Sequence, residues 1–290
     1  MEGVLNIDKP GGMTSHDVVN RVRRVAGVRR IGHAGTLDPL ATGVLVIGVG
    51  RATRLLEYVV GQSKCYWVNV RLGQTTTTYD AEGDVVQVRP VDVTRAQLSA
   101  ELDTFLGAID QIPPMFSALK QAGRPLYALA RAGIEVERAP RRVFIESLEL
   151  GEWRDDEAAL TLVCSSGTYV RTLVQAWGEA LGCGAHVIGL RRLWVGEFSA
   201  ESALPLDQLT PDTLRQQLLP LDAAVQHLPR LDLDAAAAQA LRQGRPVERL
   251  TEHPFGELAR VYAPPADFVG LVTAADALWL PEKIFLPVEN

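Results

Sequence analysis

The stretch Ala158–Phe198 reads AALTLVCSSGTYVRTLVQAWGEALGCGAHVIGLRRLWVGEF. It opens as a strand and turns at Ser165-Ser166-Gly167. It then enters the best helical pattern in the chain. Val170, Leu173, Val174, Trp177 and Leu181 recur at helical spacing on one face. HVIGLRRLWVGEF follows as another strand. Just upstream, RRVFIESLEL at residues 141–150 reads as a strand paired with the first. Strands and helices therefore mix without strict alternation. That predicts an α+β domain built on a mixed, largely antiparallel sheet.

The same pattern extends toward the N-terminus. GVLNIDKP is a short strand ending in a turn. Thr14 and Asp17 form a capping-box signal, Val18, Val19, Val22 and Val25 repeat at helical spacing, and Gly27 is a stop. GVLVIGVG is a buried strand, TRLLEYVVG a short helix and CYWVNVRL a strand. In the last of these, alternation puts Tyr66 and Val68 on one face and Trp67 on the other. Thr94 and Gln97 open another capped helix. QIPPMFSALK is a loop, because paired prolines exclude helix. PLYALARAG is a helix between proline and glycine. After Pro205 the text changes. TPDTLRQQLLPLDAAVQHLP and DLDAAAAQALRQGRPV read as helical, and ELARVYA, DFVGLVT and KIFLPV as short strands. Two domains are expected, 1–228 and a small β-rich one over 229–290.

Hydrophobic residues make up 47% of the 290, enough for a substantial core, and the net charge is -6. Overall charge does not announce a nucleic-acid binder, but its distribution does better. Residues 1–56 carry eight Lys/Arg against four Asp/Glu, whereas residues 200–290 carry seven against thirteen. Cys65, Cys164 and Cys183 have neither zinc nor disulfide spacing and read as buried thiols. The N-terminus lacks a signal-peptide pattern, and no window holds about 18 uninterrupted apolar residues. A cytoplasmic protein with no membrane segment is the expectation.

The positive end leads into RRIGHAGTLDPLATGVLVIGVG, Arg29 to Gly50. Gly48-Val49-Gly50 imitates a dinucleotide loop, but the third glycine and a βαβ unit are missing, so the glycines serve a turn. Walker, H-E-x-x-H and G-x-S-x-G signatures are also missing. Gly32 and Gly35 permit unusual backbone angles, and Pro39 pushes Asp38 into extended geometry. The loop therefore holds its carboxylate stiffly. Taken alone, an Asp before Pro is most often a turn cap. Here His33 and Thr36 stand beside it, and a basic helix and Arg29-Arg30 precede it.

GHAGTLDPLATGVL resembles the active-site motif of the TruB family of tRNA pseudouridine-55 synthases. NIDKPGGMTSHDVV, KCYWVNVRLGQTTTTYDAEG, QIPPMFSALKQAGRPLYALARAG, CSSGTYVRTL and GAHVIGLRRLWVGEF resemble further segments of that family, in its order, over residues 3–198. The tail is similar in position and strand content to the PUA-like RNA-binding domain that often ends such proteins. The resemblance implies isomerisation of a T-loop uridine. The C1′–N1 bond breaks, the uracil turns and C5 bonds to C1′. No redox cofactor, metal or nucleotide is implied. The implied partner is the tRNA T-arm, with no obligate protein partner and a monomer as default.

The resemblance also assigns candidates. Asp38 is implied as the reacting carboxylate and Arg171 as its cationic partner, expected to form an Arg–carboxylate pair and secure the ionised form. Tyr66 is implied as the platform for a flipped base. His33 fills the space the base leaves, and Leu190 lines the pocket. Lys9, with Pro10, braces the floor, and Lys64 adds charge. Arg29, Arg30, Arg141 and Arg142 are candidates for phosphate contact. Two departures stand out: Thr77 replaces a usual aspartate, and Ser166 a usual lysine. Two other readings compete, a tRNA-folding protein without required catalysis and a guide-RNA-dependent relative. The latter tends to carry lysine-rich extensions, whereas this chain ends in FLPVEN.

Overall fold

The computed structural model describes residues 1–117, 119–121, 123–249 and 253–287. Ala118 of the Gln111–Lys120 segment and Val288 to Asn290 of the closing FLPVEN lie outside them. Ten strands make the main sheet. Along its path they run Leu204–Pro205, Gly3–Lys9, Thr42–Val49, Ala185–Val195, Lys64–Leu72, Glu157–Cys164, Arg141–Arg154 and Gly107–Gln111. Phe198–Ser199 and Ile31–His33 pair off this path. Two pairings are parallel, Gly3–Lys9 with Leu204–Pro205 and Thr42–Val49 with Ala185–Val195. The remainder are antiparallel, as the α+β reading requires.

Local chemistry places the helices. Thr14 and Asp17 close a reciprocal capping box on the Ser15–Ala26 helix, and Gly27 ends it in left-handed geometry. Thr94 and Gln97 do the same for the Arg95–Asp103 helix. The Val170–Ala180 helix has no side-chain cap of its own at Tyr169. Gln111 substitutes from a distant strand, its Oε1 accepting from Tyr169 N at 3.0 Å. Leu173, Val174 and Trp177 bury this helix in one core with Tyr66, Val68 and Leu190. Trp67, 41% exposed, points the other way, as alternation predicts. All three cysteines are buried free thiols.

A second sheet of five strands lies between Arg230 and Ile284. It is docked onto the first 60 residues. Phe285 is buried in a core shared with Ala52, Leu55 and Val225. The Arg54 guanidinium lies 4.7 Å from the Phe285 ring centroid and donates to Ile284 O at 2.8 Å. Arg51 bonds Leu286 O and Glu2, and Lys283 pairs with Glu57 at 3.0 Å.

Three details differ from the sequence reading. Ile31–His33, read as loop, is a strand paired with Thr42–Val49. Three residues are too few to display alternation. The Thr210–Pro229 stretch, read as helical and punctuated by proline, is helical only in part. Pro211–Gln217 is a helix and Leu221–Val225 a 3₁₀ turn, with Leu219 between them exchanging both backbone bonds with Val4. Pro220, lacking an N–H, separates the two. The last strand spans Leu278–Ile284 rather than Lys283 onward; Phe285 N still donates to Val269 O at 2.9 Å, while its side chain is buried in the shared core.

The helix carrying Arg171 sits unusually close to the sheet. A Cβ on Gly178 would fall 2.2 Å from Ala185 N. Gly178→Ala must therefore push the helix off the sheet. A loss of about 3 kcal/mol in urea unfolding is expected, with a fall in activity.

Candidate active site

Two loops, two strands and one helix end converge at the edge of the core. The Lys64–Leu72 strand carries Tyr66 inward. The neighbouring Ala185–Val195 strand carries Leu190 and Arg192, and Arg192 stands opposite Tyr66 in the ladder. The first turn of the Val170–Ala180 helix supplies Arg171. These line a cavity of about 250 Å³ with Asp38, Lys64 and Ser166. A second cavity of about 500 Å³ adjoins it, lined by His33, Ser15, Glu82 and Tyr127 among others. Thr36, Leu37, Asp38, Ser117 and Arg171 face both.

The Asp38 loop is held from outside as well as by its own glycines and proline. Ser15 Oγ accepts from Leu37 N at 2.8 Å and donates to Leu37 O at 3.1 Å. Lys9, fully buried, donates to Pro10 O at 2.9 Å and Pro39 O at 3.3 Å. Gly12 N donates to the same Pro39 carbonyl at 2.9 Å.

Arg171 is the centre of the polar network. Its Nε lies 2.9 Å from Asp38 Oδ2. Nη1 bonds Asp80 Oδ2 at 3.0 Å and Thr78 O at 2.9 Å, and Nη2 donates to Phe116 O at 2.8 Å. The fork is thus divided among several partners rather than spent side-on on one carboxylate. Side-chain exposure is 6% for Arg171, 2% for Asp80 and 34% for Asp38. Of the three, only Asp38 presents itself to a ligand.

Burial pushes the Asp38 carboxyl above its ordinary value, against the pull of the Arg171 guanidinium, and Asp80 adds to the rise. The guanidinium alone would predict the opposite direction. The close ion pair is nonetheless the geometry of the ionised form. Burial also raises the Tyr66 hydroxyl and lowers His33. It brings Lys9 and Lys64 down to about 8. Lys64 Nζ donates to Val60 O at 2.9 Å and Gln62 O at 2.7 Å.

The structure brings Asp38, Tyr66, Arg171, Leu190 and Lys64 around one cavity, sets His33 in the next and Lys9 beneath the loop. Arg29, Arg30, Arg141 and Arg142 line neither cavity. All four are exposed. Arg30 donates to Thr53 Oγ1 at 2.6 Å, and Arg142 pairs with Asp110 at 3.2 Å. The Thr77 hydroxyl accepts from Asp84 N at 3.1 Å and so braces the hairpin that carries Asp80. Sequence reasoning missed Asp80 as a partner of Arg171, and it missed Arg192. Alternation offered a signal for Arg192, which shares the face of Leu190 two residues before it. Among the described residues, no cluster of three or more His, Cys, Asp or Glu is placed to hold a metal, and no helix is long and apolar enough to cross a membrane.

Residues 23–170 match the model of the TruB family pseudouridylate synthase N-terminal domain. The chain belongs to the TruB family of pseudouridylate synthases. Within that family, residues 171–226 match the tRNA pseudouridylate synthase B C-terminal domain, and residues 229–278 match "Pseudouridine synthase II TruB, C-terminal". A tRNA pseudouridine synthase B of Azoarcus sp. is 46% identical over 86% of this chain and 84% of its own. The Stutzerimonas stutzeri relative of that name is 44% identical over 93% and 91%. Among solved structures, a chain of a Cbf5-Nop10-Gar1 complex is similar at 27% identity and a TM-score of 0.78, the match covering 98% of this chain and 85% of that one.

A carboxyl with a higher pKa folded than unfolded binds more protons when folded. It therefore subtracts from stability as pH rises through and above the ordinary carboxylate range. Asp38→Asn removes that cost. Its thermal midpoint at pH 7 should equal or exceed that of the unchanged chain, and the difference should vanish in acid, where Asp38 is protonated in both states. A clearly lower midpoint at pH 7 would contradict the assignment.

Proposed function

We propose that this chain converts uridine-55 in the T-loop of tRNA to pseudouridine, with Asp38 as the reacting carboxylate. The chain is a tRNA pseudouridine synthase, an isomerase, as its family and its curated relatives are named. The finer reading rests on one observation. Asp38 is the exposed member of a buried Arg–carboxylate network, and it faces a base-sized cavity that Tyr66 also lines.

The chemistry suits that arrangement. Isomerisation conserves every atom and electron, so a carboxylate that attacks or takes a proton and is then regenerated is sufficient. Arg171 orients Asp38 and keeps it ionised. Tyr66 stacks on the flipped uracil, repaying part of the unstacking cost of a few kcal/mol. Leu190 packs beside it, and His33 takes the place the base vacates. Lys9 stiffens the loop through Pro39. The exposed Arg29, Arg30, Arg141 and Arg142 lie beyond the cavity, where a phosphate backbone would run.

In this reading residues 1–228 form the catalytic domain and 229–290 a PUA-like domain. The enzyme acts as a cytoplasmic monomer with no obligate protein partner. The tRNA T-arm is recognised by shape and by its unpaired loop bases.

The test is incubation of an unmodified tRNA transcript with the protein alone, followed by carbodiimide mapping and mass spectrometry. One pseudouridine at position 55 is expected. Asp38→Asn should lower its formation at least about a thousandfold while tRNA affinity stays within a few-fold. Product that appears only after other proteins or a guide RNA are added would favour the guide-dependent reading.

A further inference from the structure

Charge is unevenly distributed around the cavity. Arg171 takes both buried-network carboxylates, Asp38 and Asp80. Lys9 lies on their side, beneath the loop, where Asp38 and Glu82 act on it. The wall around Tyr66 is different. Lys64 is 6% exposed and Arg192 1% exposed, and among the described residues neither has a carboxylate within ion-pair distance. Their hydrogen-bond partners are peptide oxygens, joined for Arg192 by the neutral Tyr66 hydroxyl. Arg192 Nε donates to Val44 O at 2.8 Å and Nη2 to Gly35 O at 3.1 Å. Lys64 is held by Val60 O and Gln62 O. Carbonyls orient a cation without cancelling its charge. Burying two such cations side by side without a counter-ion is unfavourable. Both nevertheless line the cavity.

We propose that Arg192, assisted by Lys64, stabilises the uracil as an anion while it is detached from the ribose. This rests on the reaction proposed above. When C1′–N1 breaks heterolytically, its electron pair stays with the uracil and spreads over N1, O2 and O4. Asp38 meanwhile bonds to C1′ or takes a ribose proton. In the second half, an electron pair of the ring at C5 forms the C5–C1′ bond. The Asp38 bond or the borrowed proton is given back, the C5 proton leaves and N1 takes one up, so that no atom or charge is lost overall. The released base is therefore the one full negative charge the cavity must hold that the resting site lacks. The cavity is polar in the matching sense, with carboxylates on the side that meets the sugar and uncompensated cations around the aromatic ring that carries the base. Preorganised charge of this kind acts where charge develops, at no cost of reorganisation.

The experiment compares single-turnover rates on two tRNA transcripts, one with uridine and one with 5-fluorouridine, read as loss of the starting nucleoside on chromatography of the digested RNA, because a C5 that bears fluorine has no proton to lose and its reaction stops at the C5–C1′ adduct. Fluorine makes the uracil a better leaving anion, less in need of help. Arg192→Gln should slow the uridine reaction at least about a hundredfold, and the 5-fluorouridine reaction at least tenfold less than that. Lys64→Gln should show the same pattern more weakly, and Arg192→Lys should restore part of the rate. An equal loss on both transcripts, as a purely bracing residue would give, overturns the proposal. So does a loss confined to tRNA affinity, as a phosphate contact would give. Either result leaves the Asp38 reading standing, since the unchanged enzyme still makes product. If Arg192→Gln does not fold, the unchanged enzyme decides. Free 5-nitrouracil, anionic at neutral pH, should inhibit at least tenfold more strongly than free uracil. No preference for the anion overturns the proposal.

Discussion

The guanidinium of Arg171 joins parts of the chain that have no other reason to meet. Its nitrogens reach Asp38 in the stiff loop, Asp80 and Thr78 in a hairpin and Phe116 in the proline segment. A buried cation is unfavourable unless its hydrogen-bonding capacity is met, and here almost every donor has an acceptor. Satisfying it fixes three non-helical segments relative to one helix. The helix is fixed in turn by Gln111 at its start and Gly178 at its contact with the sheet. The position of Asp38 is therefore set by packing some distance away. Such control is needed where a carboxylate must meet a ribose within tenths of an ångström.

The network also explains why Asp38 is costly to keep. Its partner is shared with a second carboxylate, and the loop is partly withdrawn from water. Burial outweighs the guanidinium, and the carboxyl rises above its ordinary value. Asp80 is the more buried of the two acids and makes the better hydrogen-bond set, with Thr78 Oγ1 and Glu82 N both donating to it. One acid is thus enclosed and satisfied, and the other only partly enclosed and costly to ionise. The division of roles follows from environment, since the side chains are identical in kind.

Much of this was legible in the residues. Capping boxes at Thr14 and Thr94, the stop at Gly27 and the alternation around Tyr66 are local signals, and local signals were read as they occur. Asp38 and Arg171 were found because family motifs surround both. Asp80 sits in TTTTYD, and its role depends on a contact across 91 residues that no local pattern encodes. Arg192 was passed over, since nothing in an arginine pair marks one member as buried rather than both as solvated. Instead the pair divides, with Arg191 bonding Asp8 on one face and Arg192 buried on the other. Short elements hide for a related reason, since Ile31–His33 exists only through its neighbour.

The junction of the two sheets has a bearing on how the chain tolerates change. Arg51 and Arg54 grip peptide oxygens of Leu286 and Ile284. Every amino acid carries that oxygen, proline included. The exposed side chain at 286 can therefore drift between lineages while the clasp keeps its hold, whereas Ile284 also packs against the core of the small sheet. Phe285 and the two arginines, which interact through their own atoms, have no such latitude.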